Sequence, residues 1–320
     1  MIKIGVLGAG HLGIIHLRIV AKSKVYNLVG FYDPNPETTK KVQLEYGYKS
    51  FKSPEELIKA CDVVDIVTPT LSHYTLAKLA IESKKHIFIE KPITKTDEEA
   101  SNLVNLAIQH DVLGQVGHVE RFNPAYQSIL NSIKNPKFIE AHRLSDFNPR
   151  GTDVSVVLDL MIHDIDIILS IVKSPVKSIH ASGVSVVSET PDISNARIEF
   201  ENGCVANLTA SRISLKKMRK TRFFQKNAYI SVDYLTKQVE VVKMKDVSIE
   251  NEDLGLILTN SEGNKKQIYF EKPDIMDTNA IQEELNHLAE CIENKKKPIV
   301  SLKDGANALA IAHQIIKYIG

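Results

Sequence analysis

The chain has 320 residues and sets 40 Lys plus Arg against 39 Asp plus Glu, a formal charge of +1. That length exceeds what one hydrophobic core usually serves and predicts two domains, while the even charge balance argues against nucleic acid or an anionic membrane as a partner. Cys61, Cys204 and Cys291 are far apart, odd in number and without C-x-x-C spacing, which predicts small buried hydrophobes in a reducing compartment rather than disulfides or a metal site.

The N-terminus passes straight into a strand without the charged and apolar regions of a signal peptide, so a cytoplasmic enzyme is the expectation. Short β-branched runs at 2–7, 28–32, 63–67, 86–89 and 113–117 alternate with helical patterns at 12–21, 37–46, 74–82 and 98–110. This rhythm predicts βαβ units around a parallel sheet whose strands are buried on both faces. Thr96 with Glu99 fits a capping box. After about residue 120 the pattern changes to one helix, 156–172, and alternating strands at 196–200, 205–210, 228–233 and 239–242. The helix carries Asp159, His163, Asp164 and Asp166, too much polarity for a membrane span. Two last helices, 278–293 and 303–319, close the chain. The expected architecture is an α/β fold: a doubly wound parallel sheet over 1–120, then an α+β domain on an open, mainly antiparallel sheet over 121–320. The last helix is expected to pack back on the first domain.

Gly8-Ala9-Gly10-His11-Leu12-Gly13 matches G-x-G-x-x-G between a predicted strand and a predicted helix, the context that this dinucleotide-binding turn requires. Gly8 permits the tight turn, Gly10 lets a pyrophosphate approach the backbone, and Gly13 lets the helix pack on the strand. Phosphates then meet the helix N-terminus, with His11 and Leu12 in its first turn. Asp33 closes the second strand, where a carboxylate can bond the adenosine ribose hydroxyls and repel a 2′-phosphate, so NAD is favoured with NADP still open. Thr68-Pro69 and Glu90-Lys91-Pro92 end later strands on the same sheet edge, where open α/β sheets place ligands. An ordinary surface turn is the alternative account of Lys91.

Asp159 and His163 lie four apart and predict one face of a helix, a pairing that suits general acid/base work because a carboxylate can orient an imidazole and stabilise its cation. A satisfied histidine on an amphipathic helix is the plain alternative, and a third metal ligand is lacking. The run Lys216-Lys217-Met218-Arg219-Lys220-Thr221-Arg222 is the one local charge excess that could meet an anionic substrate group or a partner chain, and a solvated loop is its ordinary explanation.

Taken together, Gly8-x-Gly10-x-x-Gly13, Glu90-Lys91-Pro92 and Asp159-x-x-x-His163 resemble the signatures of the Gfo/Idh/MocA oxidoreductases, in order and across essentially the whole chain. The resemblance implies an N-terminal Rossmann domain, a C-terminal sheet used for homo-oligomerisation as a dimer or tetramer, and a ternary site in the cleft between. It implies that Lys91 holds the reacting hydroxyl of a sugar or nucleotide sugar, that His163 is the acid/base, and that Asp159 positions substrate or His163. Met161 departs from the Gly that many members carry there, which puts substrate shape in doubt. The stretch 117–125 also resembles that after the last Rossmann strand in UDP-N-acetylglucosamine 3-dehydrogenases and MviM-type relatives, which implies substrate contacts from Arg121 and Asn123. A salt-bridged helix start would explain those two residues equally. A reductase of a non-sugar carbonyl, imine or tetrapyrrole stays open, as does an NAD-sensing regulator, although a sensor has no need of Lys91, Asp159 and His163.

Overall fold

A computed structural model describes residues 1–148, 154–246, 256–259 and 261–319. Its contacts divide the chain into two compact units, Met1–Phe122 with Thr278–Ile311, and Asn123–Asp277 with the residues from Ala312 on.

The first unit runs β1 Ile2–Leu7, α1 His11–Ala21, β2 Tyr26–Tyr32, α2 Pro36–Tyr46, α3 Pro54–Ala60, β3 Val63–Ile66, α4 His73–Glu82, β4 His86–Glu90, α5 Asp97–Gln109 and β5 Gly114–Gly117. Its five strands are all parallel, in the order β2-β1-β3-β4-β5. β3, β4 and β5 are buried along nearly their whole length, as strands covered on both faces should be. Helix starts follow local chemistry. Thr96 and Glu99 form the reciprocal capping box of α5, and Asn35 accepts the Glu37 and Thr38 N–H groups ahead of Pro36 at the start of α2. α3 escaped the sequence pattern because seven residues are too few to show a period, although Ser53 caps it and Pro54 opens it.

The second unit holds α6 Pro124–Ile129, β6 Phe138–Leu144, a π turn Val157–Met161, α7 Ile162–Ile171, β7 Val176–Val184, β8 Ile193–Phe200, β9 Val205–Ser211, β10 Met218–Gln225, β11 Ala228–Asp233, β12 Gln238–Asp246, β13 Leu256–Thr259 and β14 Lys265–Glu271. These form a nine-stranded sheet, β13-β14-β12-β11-β10-β6-β9-β8-β7, antiparallel except for β6 beside β9. The basic run is therefore not a loop over most of its length: from Met218 it is β10, paired with β6 on one side and β11 on the other.

α8 Ala280–Glu293 and α9 Leu302–Ile319 close the chain. Residues 278–311 belong to the first unit, where Leu285, Leu288 and Ala289 of α8 join Ile4, Val20, Tyr26, Val63 and Phe88 in one buried cluster. The three positions lie on one helical stripe, and seating that stripe on the sheet takes it out of water. All three cysteines are free and buried, and among the described residues no helix is long and apolar enough to cross a membrane.

Candidate active site

The first unit carries a cavity of about 660 Å³ at the C-terminal edge of its parallel sheet. Gly8, Gly10, His11, Leu12, Asp33, Thr68, Pro69, Glu90 and Lys91 all line it, so every residue that the sequence nominated for the cofactor is there except Gly13. Gly13 acts from behind: a Cβ at that position would run into the Gly8 carbonyl oxygen, whereas one at Gly10 would meet nothing within 4 Å. Gly8 has φ +94°, in the left-handed region open to glycine. Gly10 is the N-cap of α1 and offers no side chain to cap the helix, which leaves that terminus as an anion site. Asp33 Oδ2 accepts the Ala9 N–H at 2.8 Å and so ties the end of β2 to the glycine turn. An open cradle, a helix N-terminus and a carboxylate at the end of β2 fit a nicotinamide dinucleotide. Tyr32, Ser72 and Leu76 also line the cavity; they lie in no motif, and only their place at strand ends and in the first turns of α4 could have pointed to them.

His73 joins two of the lining loops. Its Nδ1 lies 2.9 Å from the Pro92 carbonyl oxygen and its Nε2 2.8 Å from that of Thr68. Burial pushes the imidazole pKa down against the pull of these two carbonyls.

Behind Glu90 and Lys91 is a buried charged cluster that no sequence motif announced. His16 of α1 and Asp65 of β3 are both fully buried, with Nδ1 to Oδ2 at 2.9 Å, and His16 Nε2 lies 3.4 Å from Glu90 Oε1. Glu90 Oε2 accepts the Lys91 N–H at 3.2 Å. Burial alone would lower the His16 pKa, but the charge and hydrogen bond of Asp65, with Glu90 behind them, raise it well above the ordinary value. Glu284 of α8 is also fully buried, and neither carboxyl oxygen has a hydrogen-bond partner among the described residues. Burial first, then the nearby Glu90, Asp65 and Glu120, lift its pKa well above the usual range. Both shifts favour the protonated forms, an uncharged Glu284 and a cationic His16, and so reduce uncompensated negative charge in the core.

In the second unit, Arg143 of β6 grips Asp164 of α7 through two parallel bonds, Nε to Oδ2 at 3.0 Å and Nη2 to Oδ1 at 2.9 Å, with both residues almost fully buried. This fork sets the rotation of α7 and hence of the adjacent His163, which is half-buried. Asp159 is exposed and lies in the π turn, where the Ile162 N–H reaches the Val157 carbonyl five residues back. Asp159 and His163 are thus four residues apart across a wider turn, a feature frequent at functional sites, rather than along a regular α-helix. Met161 is fully buried and packs in the core. Asp159 lines a second cavity, about 450 Å³, together with Arg212, Lys217 and Arg219.

Arg121 and Asn123 have structural partners. Arg121 Nη2 donates to the Ile299 carbonyl at 2.7 Å. Asn123 caps α6 by accepting the Ala125 N–H and donates to the Tyr234 carbonyl at 3.0 Å. For Asn123 this is the helix-start account.

Comparison with known proteins agrees with this geometry. Residues 2–118 match the Gfo/Idh/MocA oxidoreductase family, NAD-binding Rossmann fold, and residues 107–230 match the Gfo/Idh/MocA C-terminal domain. The chain is 36% identical over 240 residues to the UDP-N-acetylglucosamine 3-dehydrogenase of Acidithiobacillus ferrooxidans, covering 75% of this chain and 76% of that protein. A solved structure of that dehydrogenase, GnnA, superposes with a TM-score of 0.89 over 99% of this chain and 97% of that one at 30% identity. The NAD+-dependent scyllo-inositol 2-dehydrogenase of Bacillus subtilis is 26% identical over 94% of this chain and 89% of its own.

Proposed function

The chain belongs to the Gfo/Idh/MocA family and is an NAD-binding oxidoreductase, and from that premise we propose that it oxidises a hydroxyl of a nucleotide sugar, UDP-N-acetylglucosamine or a close relative at the sugar C3. The observation that carries the reading is the position of Lys91, which lines the same cavity as the glycine turn and Asp33. In this reading the ammonium serves the reacting oxygen rather than the adenosine end.

Bound NAD supplies the hydride acceptor. Lys91 donates a hydrogen bond to the substrate oxygen and stabilises negative charge as it develops there. His163, neutral at the start, takes the hydroxyl proton on a ring nitrogen. Asp159 orients substrate or imidazole and favours the imidazolium once it forms. The reverse reduction uses the same groups with the proton returned. Glu90 acts at one remove, because its carboxylate is turned to His16 and to the Lys91 N–H.

A panel of nucleotide sugars, inositols and free sugars, followed by NADH absorbance, tests the proposal. UDP-N-acetylglucosamine should give the highest kcat/KM. A preference for an inositol or an unsubstituted sugar would replace the nucleotide-sugar reading with that of the broader family.

A further inference from the structure

β10 divides the basic run between the two faces of its sheet. Arg219, Thr221 and Phe223 register with Arg143, Ala141 and Ile139 of β6, and Arg143 is the residue that reaches up to Asp164 of α7. Arg219 therefore shares the face that carries α7 and the π turn. Lys220 and Arg222 alternate to the opposite face, where Arg222 pairs with Glu140 at 2.8 Å.

On the α7 face, three cations, Arg212, Lys217 and Arg219, meet around the cavity of about 450 Å³ whose wall also bears Asp146 and Asp159, a volume in the range of small-molecule sites. Arg212 is the fixed charge: it is 5% exposed, donates to the Val154 carbonyl at 2.6 Å, and has Asp192 at 3.9 Å. Asp192 is itself held by the N–H groups of Val186, Val187 and Ser188. Lys217 Nζ lies 3.1 Å from Asp146, but both side chains are more than half exposed, and an exposed pair of that kind holds weakly enough to exchange for a better anion. Arg219 is exposed and offers a planar fork suited to phosphate oxygens.

We propose that this cavity is the anion subsite of the substrate and takes the diphosphate of a nucleoside diphosphate sugar. Arg219 and Lys217 are the phosphate ligands, Arg212, held against Asp192, forms the fixed back of the cavity, and Asp159 on the same wall marks the sugar end. The inference rests on the nucleotide-sugar reading above, and it puts the anion contacts on residues of the second unit rather than on Arg121.

Titration calorimetry with uridine diphosphate, on protein saturated with NADH so that the dinucleotide cavity is filled, tests the assignment. Wild type should bind. Arg219→Ala should weaken binding about tenfold or more and Lys217→Ala by about three- to tenfold, whereas Asp146→Ala should tighten it a few-fold by removing the competing carboxylate. The NADH dissociation constant should stay within about twofold in all three, and a sugar monophosphate should bind wild type at least about tenfold more weakly than uridine diphosphate. Binding by wild type with no change in either cation variant would overturn the cavity assignment alone. No binding of uridine diphosphate by NADH-saturated wild type would overturn the nucleotide-sugar reading with it, and equal affinity for the monophosphate would overturn the diphosphate specificity.

Discussion

The carboxylate of Asp33 accepts the backbone N–H of Ala9 at 2.8 Å on one oxygen and that of Asn35 at 2.9 Å on the other. The residue that should select the cofactor is therefore also a strut of the glycine turn, and substitutions must separate the two roles. Asp33→Asn keeps an acceptor for Ala9 but removes the charge that repels a 2′-phosphate. It should shift the ratio of NADP to NAD affinity upward by about tenfold, or roughly 1.4 kcal/mol. Asp33→Ser, too short to reach Ala9, should also weaken both cofactors. Fluorescence titration of each dinucleotide measures this, and tighter NADP than NAD binding by wild type would contradict the selection role.

Gly10 and Gly13 should fail in different ways when given a methyl group. A Cβ at Gly13 meets the Gly8 carbonyl oxygen, while one at Gly10 has no protein atom within 4 Å. Gly13→Ala should lower stability by about 1–3 kcal/mol through overpacking. Gly10→Ala should keep the wild-type melting temperature and lose NAD affinity, because its methyl occupies cofactor space. Equal melting loss in both variants would contradict the open cradle.

The buried cluster predicts a pH dependence of stability. The Glu284 pKa in the folded protein lies above its ordinary value of 4.5. Between those two values the folded state binds a proton that the unfolded chain releases, so this group lowers stability as pH rises. Glu284→Gln should melt higher than wild type at pH 8, with the advantage shrinking toward pH 4.5. His16 has the opposite role at neutral pH: its raised folded pKa means that its contribution is full below about 6.5 and is lost as pH climbs through the folded value. His16→Leu leaves Asp65 and Glu90 without a counter-cation and should cost about 3–5 kcal/mol. Denaturant melts across pH measure both, and a Glu284→Gln protein less stable than wild type at pH 8 would mean that Glu284 is ionised.

Lys91 and His163 should separate chemistry from binding. Lys91→Ala or His163→Asn should lower kcat by about 10²- to 10⁴-fold while the NADH dissociation constant stays within a few-fold. Unchanged turnover in both would remove these residues from the reaction.

The parallel sheet and its cofactor edge were legible in the sequence because buried strands, a glycine turn and Asp33 are local signals with fixed spacing. The His16 cluster was not, since His16, Asp65, Glu90 and Glu284 come from four separate elements and only folding assembles them. The place of α8 also escaped: an amphipathic stripe says that a helix packs, and says nothing of which sheet receives it. The basic run misled for a related reason. Its charges suggested solvent, yet alternation along a strand lets Arg222 and Arg219 face opposite ways while Thr221 and Phe223 between and beyond them are buried. Period-counting does not detect the π turn at Asp159, because apolar residues fill most positions of 156–172 and hide the shift in phase that an added residue makes.

Hydride transfer from the sugar C3 is the central claim, and one measurement addresses it directly. UDP-N-acetylglucosamine deuterated at C3 is incubated with the protein and NAD, and the nucleotide and sugar products are resolved by mass spectrometry. The account predicts reduced cofactor carrying one deuterium and an equal amount of a keto sugar that has lost it. Unlabelled NADH, or no reduced cofactor from protein shown by titration to bind NAD, would contradict it.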